Sequence, residues 1–212
     1  MQQKDYWDSV SNNKEFTTPF QREAFARYVS QDALVVDVGC GYGRTLQELK
    51  EAGFRRLMGF DFSAAMIKRG LRQYPGLDLR VMGSPRLELE DGSADAVILF
   101  AVLTCICRNE EQQALIAEIS RVLRPGGILY VNDFLLNDDA RNTERYERFA
   151  PLLGVYGAFE LPEGAIVRHH DPAWIAELLG GFGRQKYGTL TFTTMNGHKS
   201  NGFFFIGKKP QC

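Results

Sequence analysis

The sequence has little net charge, few cysteines, few histidines and no long apolar run. Its 25 basic and 26 acidic side chains leave a formal charge of −1, so no global field draws it to nucleic acid or to an anionic membrane. The longest apolar stretch, about Ala96 to Cys107, is well short of the roughly 20 residues that span a bilayer. It reads as a central strand and its exit. Residues Met1 to Asp8 contain no apolar core of the kind a secretion signal carries. Four cysteines without regular spacing make no disulfide framework and fit a reducing cytoplasm. Cys105 and Cys107 would share one side of an extended segment. No second pair or nearby histidine doublet joins them, so no metal is expected. Repeats and low-complexity linkers are absent too, and 212 residues fit a single domain.

What the chain does have is a strand, a glycine turn and a helix in immediate succession. Leu34 to Val38 is an apolar run broken only by Asp37. Glycines follow at every second position, Gly39, Gly41 and Gly43, and an amphipathic segment starts at Arg44. Glycine permits positive φ and lets another group approach the main chain, and a helix start offers unpaired N–H groups and partial positive charge. A nucleotide-like cofactor suits such a turn. The dinucleotide pattern G-x-G-x-x-G would need a third glycine where Arg44 stands. A P-loop would need Gly-Lys-Ser/Thr, which does not follow.

Two further motifs sharpen the reading. Leu57-Met58-Gly59-Phe60-Asp61-Phe62-Ser63 is a second apolar strand ending in an acid, 22 residues after Gly39. A carboxylate there can accept from both hydroxyls of a ribose, and Ser63 suits the N-cap of a helix over Ala64–Arg72. Arg121-Val122-Leu123-Arg124-Pro125-Gly126-Gly127 then turns a helix into the strand Ile128-Leu129-Tyr130-Val131. In this order, Val36-Asp37-Val38-Gly39-Cys40-Gly41-Tyr42-Gly43 and its two partners resemble the class I S-adenosylmethionine (SAM) methyltransferases of small-molecule type. The resemblance covers Leu34 to Leu136 well and the remainder loosely.

The elements predicted around these motifs alternate. Strands are expected at Leu34–Val38, Arg56–Phe60, Leu77–Met82, Ala94–Phe100 and Gly127–Phe134, with helices at Arg44–Ala52, Ala64–Arg72 and Glu110–Leu123. That is an α/β chain with a parallel sheet covered on both faces. Asp171-Pro172 starts a helix that runs to about Leu179. Strands near Gln185–Thr194 and Gly202–Lys208 then form an antiparallel hairpin around the loop Met195–Asn201. The expected fold is a Rossmann-like three-layer sandwich, with a seven-stranded, mostly parallel sheet and that C-terminal hairpin. One methyltransferase domain would comprise an N-terminal cap (1–30, with a helix at Gln21–Val29), a SAM-binding core (31–136), a substrate flap (137–170) and the C-terminal helix and hairpin (171–212).

The resemblance implies roles at particular positions. Gly39, Cys40, Gly41 and Gly43 would turn the backbone beneath the methionine part of SAM, and Asp37 would hold its ammonium. Main-chain groups at Phe100 and Ala101 would contact the same part. Asp61 would take the ribose hydroxyls, next to Ser63, with Phe62 against the adenine. The family often reads the adenine amine with an acid after the third strand. Here that stretch is Val81-Met82-Gly83-Ser84-Pro85, so Ser84 and main-chain groups at Gly83 are the expected substitutes. On the residues alone, Asp37 could instead satisfy loop N–H groups, Asp61 could cap a helix and Phe62 could be core.

Methyl transfer from a sulfonium needs no obligatory nucleophile, and a base only for some acceptors. His169 and His170 are candidates because imidazole titrates near neutrality; Asp133 and Tyr146 are weaker ones. Tyr6, Trp7 and Phe20 either line an apolar lid or bury an N-terminal helix. Arg145 and Arg148 either bind a carboxylate or phosphate or form a solvated helix face. No Asp/Asn-Pro-Pro-Tyr/Phe motif, no basic stripe with interleaved aromatics and no added recognition domain occurs, which favours a small-molecule acceptor over DNA, RNA or a large protein; no membrane partner is expected. The rival readings are an NAD(P)-dependent oxidoreductase and a non-catalytic SAM-binding domain. Neither the acceptor nor the oligomeric state is legible.

Overall fold

Strand β1 (Leu34–Val38) lies in the middle of the sheet, where burial on both faces demands a continuous apolar run. In this computed structural model, which describes residues 3–194 and 197–211, β1 pairs in parallel with β2 (Arg56–Asp61) and β4 (Ala94–Phe100). β3 (Asp78–Val81) continues the parallel set beyond β2, and β5 (Leu123–Phe134) continues it beyond β4. The hairpin of β8 (Gly183–Thr193) and β9 (Lys199–Lys208) adds antiparallel strands to β5, giving the order β3-β2-β1-β4-β5-β9-β8. A separate hairpin joins β6 (Ala158–Glu160) to β7 (Ile166–Arg168).

Helices cover both faces of the large sheet. On one, α5 (Asn109–Val122) and α7 (Pro172–Leu178) pack Ile116, Ile119, Ile175 and Leu178 against Val36, Val97 and Leu129. On the other, α2 (Arg22–Ala26) and α3 (Arg44–Glu51) supply Phe25 and Leu49 against Val35, Ile98 and Tyr130. α4 (Ala64–Gln73) completes a smaller cluster of Leu46, Ile67 and Leu79. α1 (Gln3–Val10) and α6 (Ala140–Leu153) lie outside these layers. No helix among the described residues is long and apolar enough to cross a membrane.

The seven-stranded, mostly parallel sheet with its terminal hairpin is the architecture expected from the sequence. Differences are local. The Arg124-Pro125-Gly126-Gly127 turn lies inside β5: Leu123 pairs with Ala94 and Ile128 with Ala96, and the residues between are extruded as a bulge. Gly126 there has φ +74° and donates its N–H to Lys209 O. The helix expected at Gln21–Val29 is only α2. It ends at Ala26, where Arg27 and Tyr28 turn, and its N-cap Gln21 supplies no side-chain cap bond to hold it. Residues 137–170, expected as a flap without periodicity, hold α6 and the β6–β7 hairpin, with Asp139 as N-cap and left-handed Gly154 as C-cap of α6. In the terminal hairpin, β9 begins at Lys199, so Lys199 to Asn201 belong to the strand rather than to the loop. Met195 and Asn196 lie outside the described residues.

Candidate active site

Chain order fixes where the site falls. The chain runs β1, β2, β3 outward and then crosses back to β4, so strand order reverses between β1 and β4 at their carboxyl ends. Ligands of open α/β sheets sit at such a reversal. The loop after β1 folds onto β2, with Gly39 and Cys40 both donating to Phe60 O, at 2.7 and 3.0 Å. Gly39 and Gly41 have φ of +75° and +55°; an added Cβ would come within 2.5 Å of Val102 Cγ2 and of Phe16 Cε2 respectively. Side chains from other segments thus press on this turn as closely as a cofactor would.

Asp61, at the end of β2, knits two loops together. Its Oδ2 accepts from Gly41 N and its Oδ1 from Ser63 N, each at 2.8 Å. Each oxygen keeps a lone pair for a ligand. Ser63 caps α4 by accepting from Met66 N at 3.1 Å and donates its hydroxyl to Asp8 Oδ1 at 2.6 Å. Asp37 is buried, and its Oδ1 has no partner among the described residues. Burial above all, then the charge of Asp61, pushes its carboxyl up to about 7, against a smaller opposing pull from Arg44. An orphaned buried acceptor beside a second carboxylate is suited to a cationic ligand.

These groups line one end of a cavity of about 410 Å³. Gly39, Cys40, Gly41, Asp61, Phe62, Ser63, Phe100 and Ala101 also border it. Ala101, with φ +55°, is the one non-glycine of positive φ among the described residues, and backbone held there concentrates at functional sites. The cap closes the cavity from above through Tyr6, Trp7, Phe16 and Thr17. Arg69 latches that segment: its guanidinium lies 3.9 Å from the Tyr42 ring centroid and donates to Ser11 O, Lys14 O and Glu15 Oε1 at 2.7 to 2.9 Å. The far end is walled by Phe134, Arg145, Phe159, Leu161, Val167 and His169.

Several expected residues stand elsewhere. Gly43 faces Leu77 and Leu79 and starts α3 in a left-handed conformation, so its role is to turn the chain behind the cavity. Gly83 and Ser84 are exposed beyond β3 and do not border the cavity. Phe20 packs on Phe25, Phe100 and Tyr130 and belongs to the core rather than to a lid. Asp133 is fully buried and accepts from Thr104 N at 3.2 Å and Phe134 N at 2.8 Å. It braces the loop after β4 and does not reach the acceptor space. His170 is fully buried as well. Its Nδ1 donates to Phe134 O at 3.0 Å, leaving Nε2 to accept from Gln112 Nε2 at 2.9 Å. Burial drives its pKa down to about 4, so it is a structural tie and no base.

His169 does face the cavity, in a form the sequence could not disclose. Asn201 N–H donates to Asn137 Oδ1 at 2.8 Å, which fixes the amide so that Nδ2 points at His169 Nδ1, 3.1 Å away. The Tyr146 hydroxyl receives Asn137 N–H at 3.3 Å and lies 2.6 Å from the same Nδ1. Surrounded otherwise by donors, it must give its proton to that nitrogen. Nδ1 is therefore an acceptor and Nε2 carries the ring hydrogen. Burial and the nearby Arg145 charge hold the pKa well below the usual imidazole value. His169 is thus a neutral donor rather than a base, and Tyr146, outside the cavity lining, sets its tautomer. The walls that sequence reasoning missed, Phe134, Phe159 and Val167 among them, are apolar residues indistinguishable in pattern from core.

Comparison with known proteins bears on the fold and the family. Residues 36–131 match the model of a methyltransferase domain family. A solved SAM-dependent methyltransferase from Methanosarcina mazei superposes with TM-score 0.84 at 25% identity, over 92% of this chain and 99% of that one. Two curated relatives align over the core. One is a "probable S-adenosylmethionine-dependent methyltransferase" of Mycolicibacterium smegmatis, 33% identical over 46% of this chain and 37% of its own length. The other is a demethylmenaquinone methyltransferase of Renibacterium salmoninarum, 37% identical over 47% and 40%. The matched region spans less than half the length of either relative. The sheet order and the glycine turn linked to Asp61 define a Rossmann-like cofactor-binding protein. Taken with these likenesses, they make the chain similar to the class I SAM-dependent methyltransferases, a family whose cofactor is SAM.

Proposed function

We propose that the chain transfers a methyl group from SAM to a small molecule seated at the far end of the cavity. The observation that carries this reading is the cavity itself: a carboxylate-lined end at the strand reversal runs without interruption into an apolar end enclosed by α6 and the β6–β7 hairpin. When bound, SAM supplies an activated methyl on a positive sulfur. Asp37 would hold the ammonium of its methionine part, Asp61 the ribose hydroxyls, and Phe62, half exposed on the cavity wall, the adenine face. The role of the chain is alignment and exclusion of water. The cap, latched by Arg69, and the apolar walls provide the dry space. Of the expected base candidates, His169 faces the cavity as a donor and His170, Asp133 and Tyr146 do not line it, which suits an acceptor that already carries its lone pair.

The test is release of S-adenosylhomocysteine from SAM over an acceptor library, with isothermal calorimetry of both nucleosides. Binding without turnover on any acceptor would favour the regulatory reading. Turnover only on tRNA or protein would move the acceptor out of the small-molecule class.

A pH dependence follows from Asp37. With its carboxyl near 7, the acid is mostly protonated at pH 5.5 and cannot pair with a cation; ionisation is favoured as pH rises through 7. Affinity for S-adenosylhomocysteine should therefore increase roughly 20-fold between pH 5.5 and 7.5, as expected for a group ionising near 7. Asp37→Asn should bind more weakly and lose most of that slope. Parallel slopes in both proteins would remove Asp37 from the ammonium site.

A further inference from the structure

Among the described residues the acidic side chains lining the cavity are Asp37 and Asp61, both at the end proposed for the cofactor, whereas its lysines and arginines, Lys4, Lys14, Arg44, Arg141 and Arg145, are spread along it. Four of these five have a carboxylate near them. Lys4 meets Asp8 at 2.7 Å, Lys14 meets Glu163 at 3.6 Å, Arg44 meets Glu48 at 2.8 Å and Arg141 meets Asp139 at 3.9 Å. Arg145 has no such partner among the described residues. One of its terminal nitrogens donates to Asn142 Oδ1, which Asp139 in turn orients, while its Nε is buried with nothing to bond.

Arg145 does not stand alone. Its guanidinium lies 3.5 Å from the centroid of Phe159, and the His169 ring meets the same Phe159 edge-on at 5.0 Å. Tyr146 neighbours both. The Nε2–H of His169, fixed as a donor by Tyr146 and Asn137, is on a ring that borders the cavity and makes no protein hydrogen bond among the described residues. A fixed cation with no carboxylate within 4 Å among the described residues and a fixed neutral donor thus border one apolar space; the charge of Asp139 acts on Arg145 only from farther off. Leaving such groups unmatched is costly, and a planar fork with an adjacent N–H complements a planar two-oxygen acceptor.

We propose that this end of the cavity is a carboxylate site, and that the acceptor is an apolar-bodied monoanion whose carboxylate is held by Arg145 and by the Nε2–H of His169. A phosphate dianion fits less well, because one guanidinium would face two charges among Phe134, Phe159, Leu161 and Val167. The carboxylate anchors the molecule and its apolar body points along the cavity toward the cofactor end. The inference rests on the methyltransferase reading only in calling the ligand an acceptor; the anion site is a property of these side chains.

Calorimetric titration decides it, using phenylacetate, cinnamate and octanoate against their uncharged primary amides, with and without saturating S-adenosylhomocysteine. At least one acid should bind about 10- to 100-fold more tightly than its amide, the range a hydrogen-bonded charge contact carries. Arg145→Gln should abolish that preference and leave S-adenosylhomocysteine affinity unchanged, and Arg145→Lys should restore it in part. Acids no better than amides on the unmodified protein, or a preference surviving Arg145→Gln, would overturn the proposal. The acid-amide comparison on unmodified protein needs no variant to fold. Binding of S-adenosylhomocysteine with no acid preference defeats the anion site alone; absent nucleoside binding with an Arg145-dependent acid preference defeats only the methyltransferase assignment.

Discussion

Asp61→Ala should weaken S-adenosylhomocysteine binding about 100-fold, equivalent to about 2.7 kcal/mol. Two effects combine. The ribose hydroxyls lose a charged acceptor, a contact of about 1.5–3 kcal/mol. The protein also loses its clasp, since Gly41 N–H and Ser63 N–H both end on this carboxylate and would have to find water. The substitution should therefore lower the melting temperature of the ligand-free protein as well. Asp61→Asn keeps the shape and one acceptor oxygen and should fall between the two. Calorimetry with matched thermal melts separates the contributions. Affinity within about threefold of the unmodified protein would show that the ribose is held elsewhere.

Gly41→Ala should be among the most damaging single-methyl additions in the cavity wall. The residue sits at φ +55°, and its new Cβ would lie 2.5 Å from Phe16 Cε2 and 2.9 Å from Phe16 Cζ. The left-handed conformation alone costs an L-residue about 1–2 kcal/mol, and overpacking adds about 1–3 kcal/mol. Phe16 can relieve the clash only by leaving Tyr42, on which it stacks at 4.9 Å, and that would lift the cap. A fall of roughly 5–15 °C in melting temperature is expected for a chain of this size, with weaker nucleoside binding. Phe16→Ala on the same background should recover part of the thermal loss, because it removes the obstructing ring. It should not recover affinity, because the cap stays open. A melting temperature unchanged by Gly41→Ala would mean that the cap does not rest on the glycine turn.

The residues we propose for the cofactor could be picked out in the sequence because their determinants are consecutive. An apolar strand, a turn that only glycine can follow and an acid closing the next strand are all local, and the tertiary structure brings Gly39, Gly41 and Asp61 together as their order implies. Gly43, Gly83 and Ser84 show the limit of that reading. Position relative to a motif does not say which way the backbone faces, and these three point to core or solvent. The acceptor end was not readable in the same sense. Arg145 was a candidate only because it is an arginine on a helix. Arg148, three residues on, lies over Phe149 and is exposed, and nothing local distinguishes the two.

The histidine doublet marks the division most clearly. Sequence alone determined that a parallel α/β sheet would carry a glycine turn and a paired acid at the ends of neighbouring strands, because period, strand ends and turn chemistry are properties of adjacent residues. Tertiary structure decided that His170 is sealed between Phe134 and Gln112, and that His169 opens on the cavity with its hydrogen on Nε2. That tautomer depends on Asn137, Tyr146 and Asn201, which arrive from a loop, a helix and the final strand. A proton's position is set by whichever donors and acceptors surround the ring, and those come from across the chain.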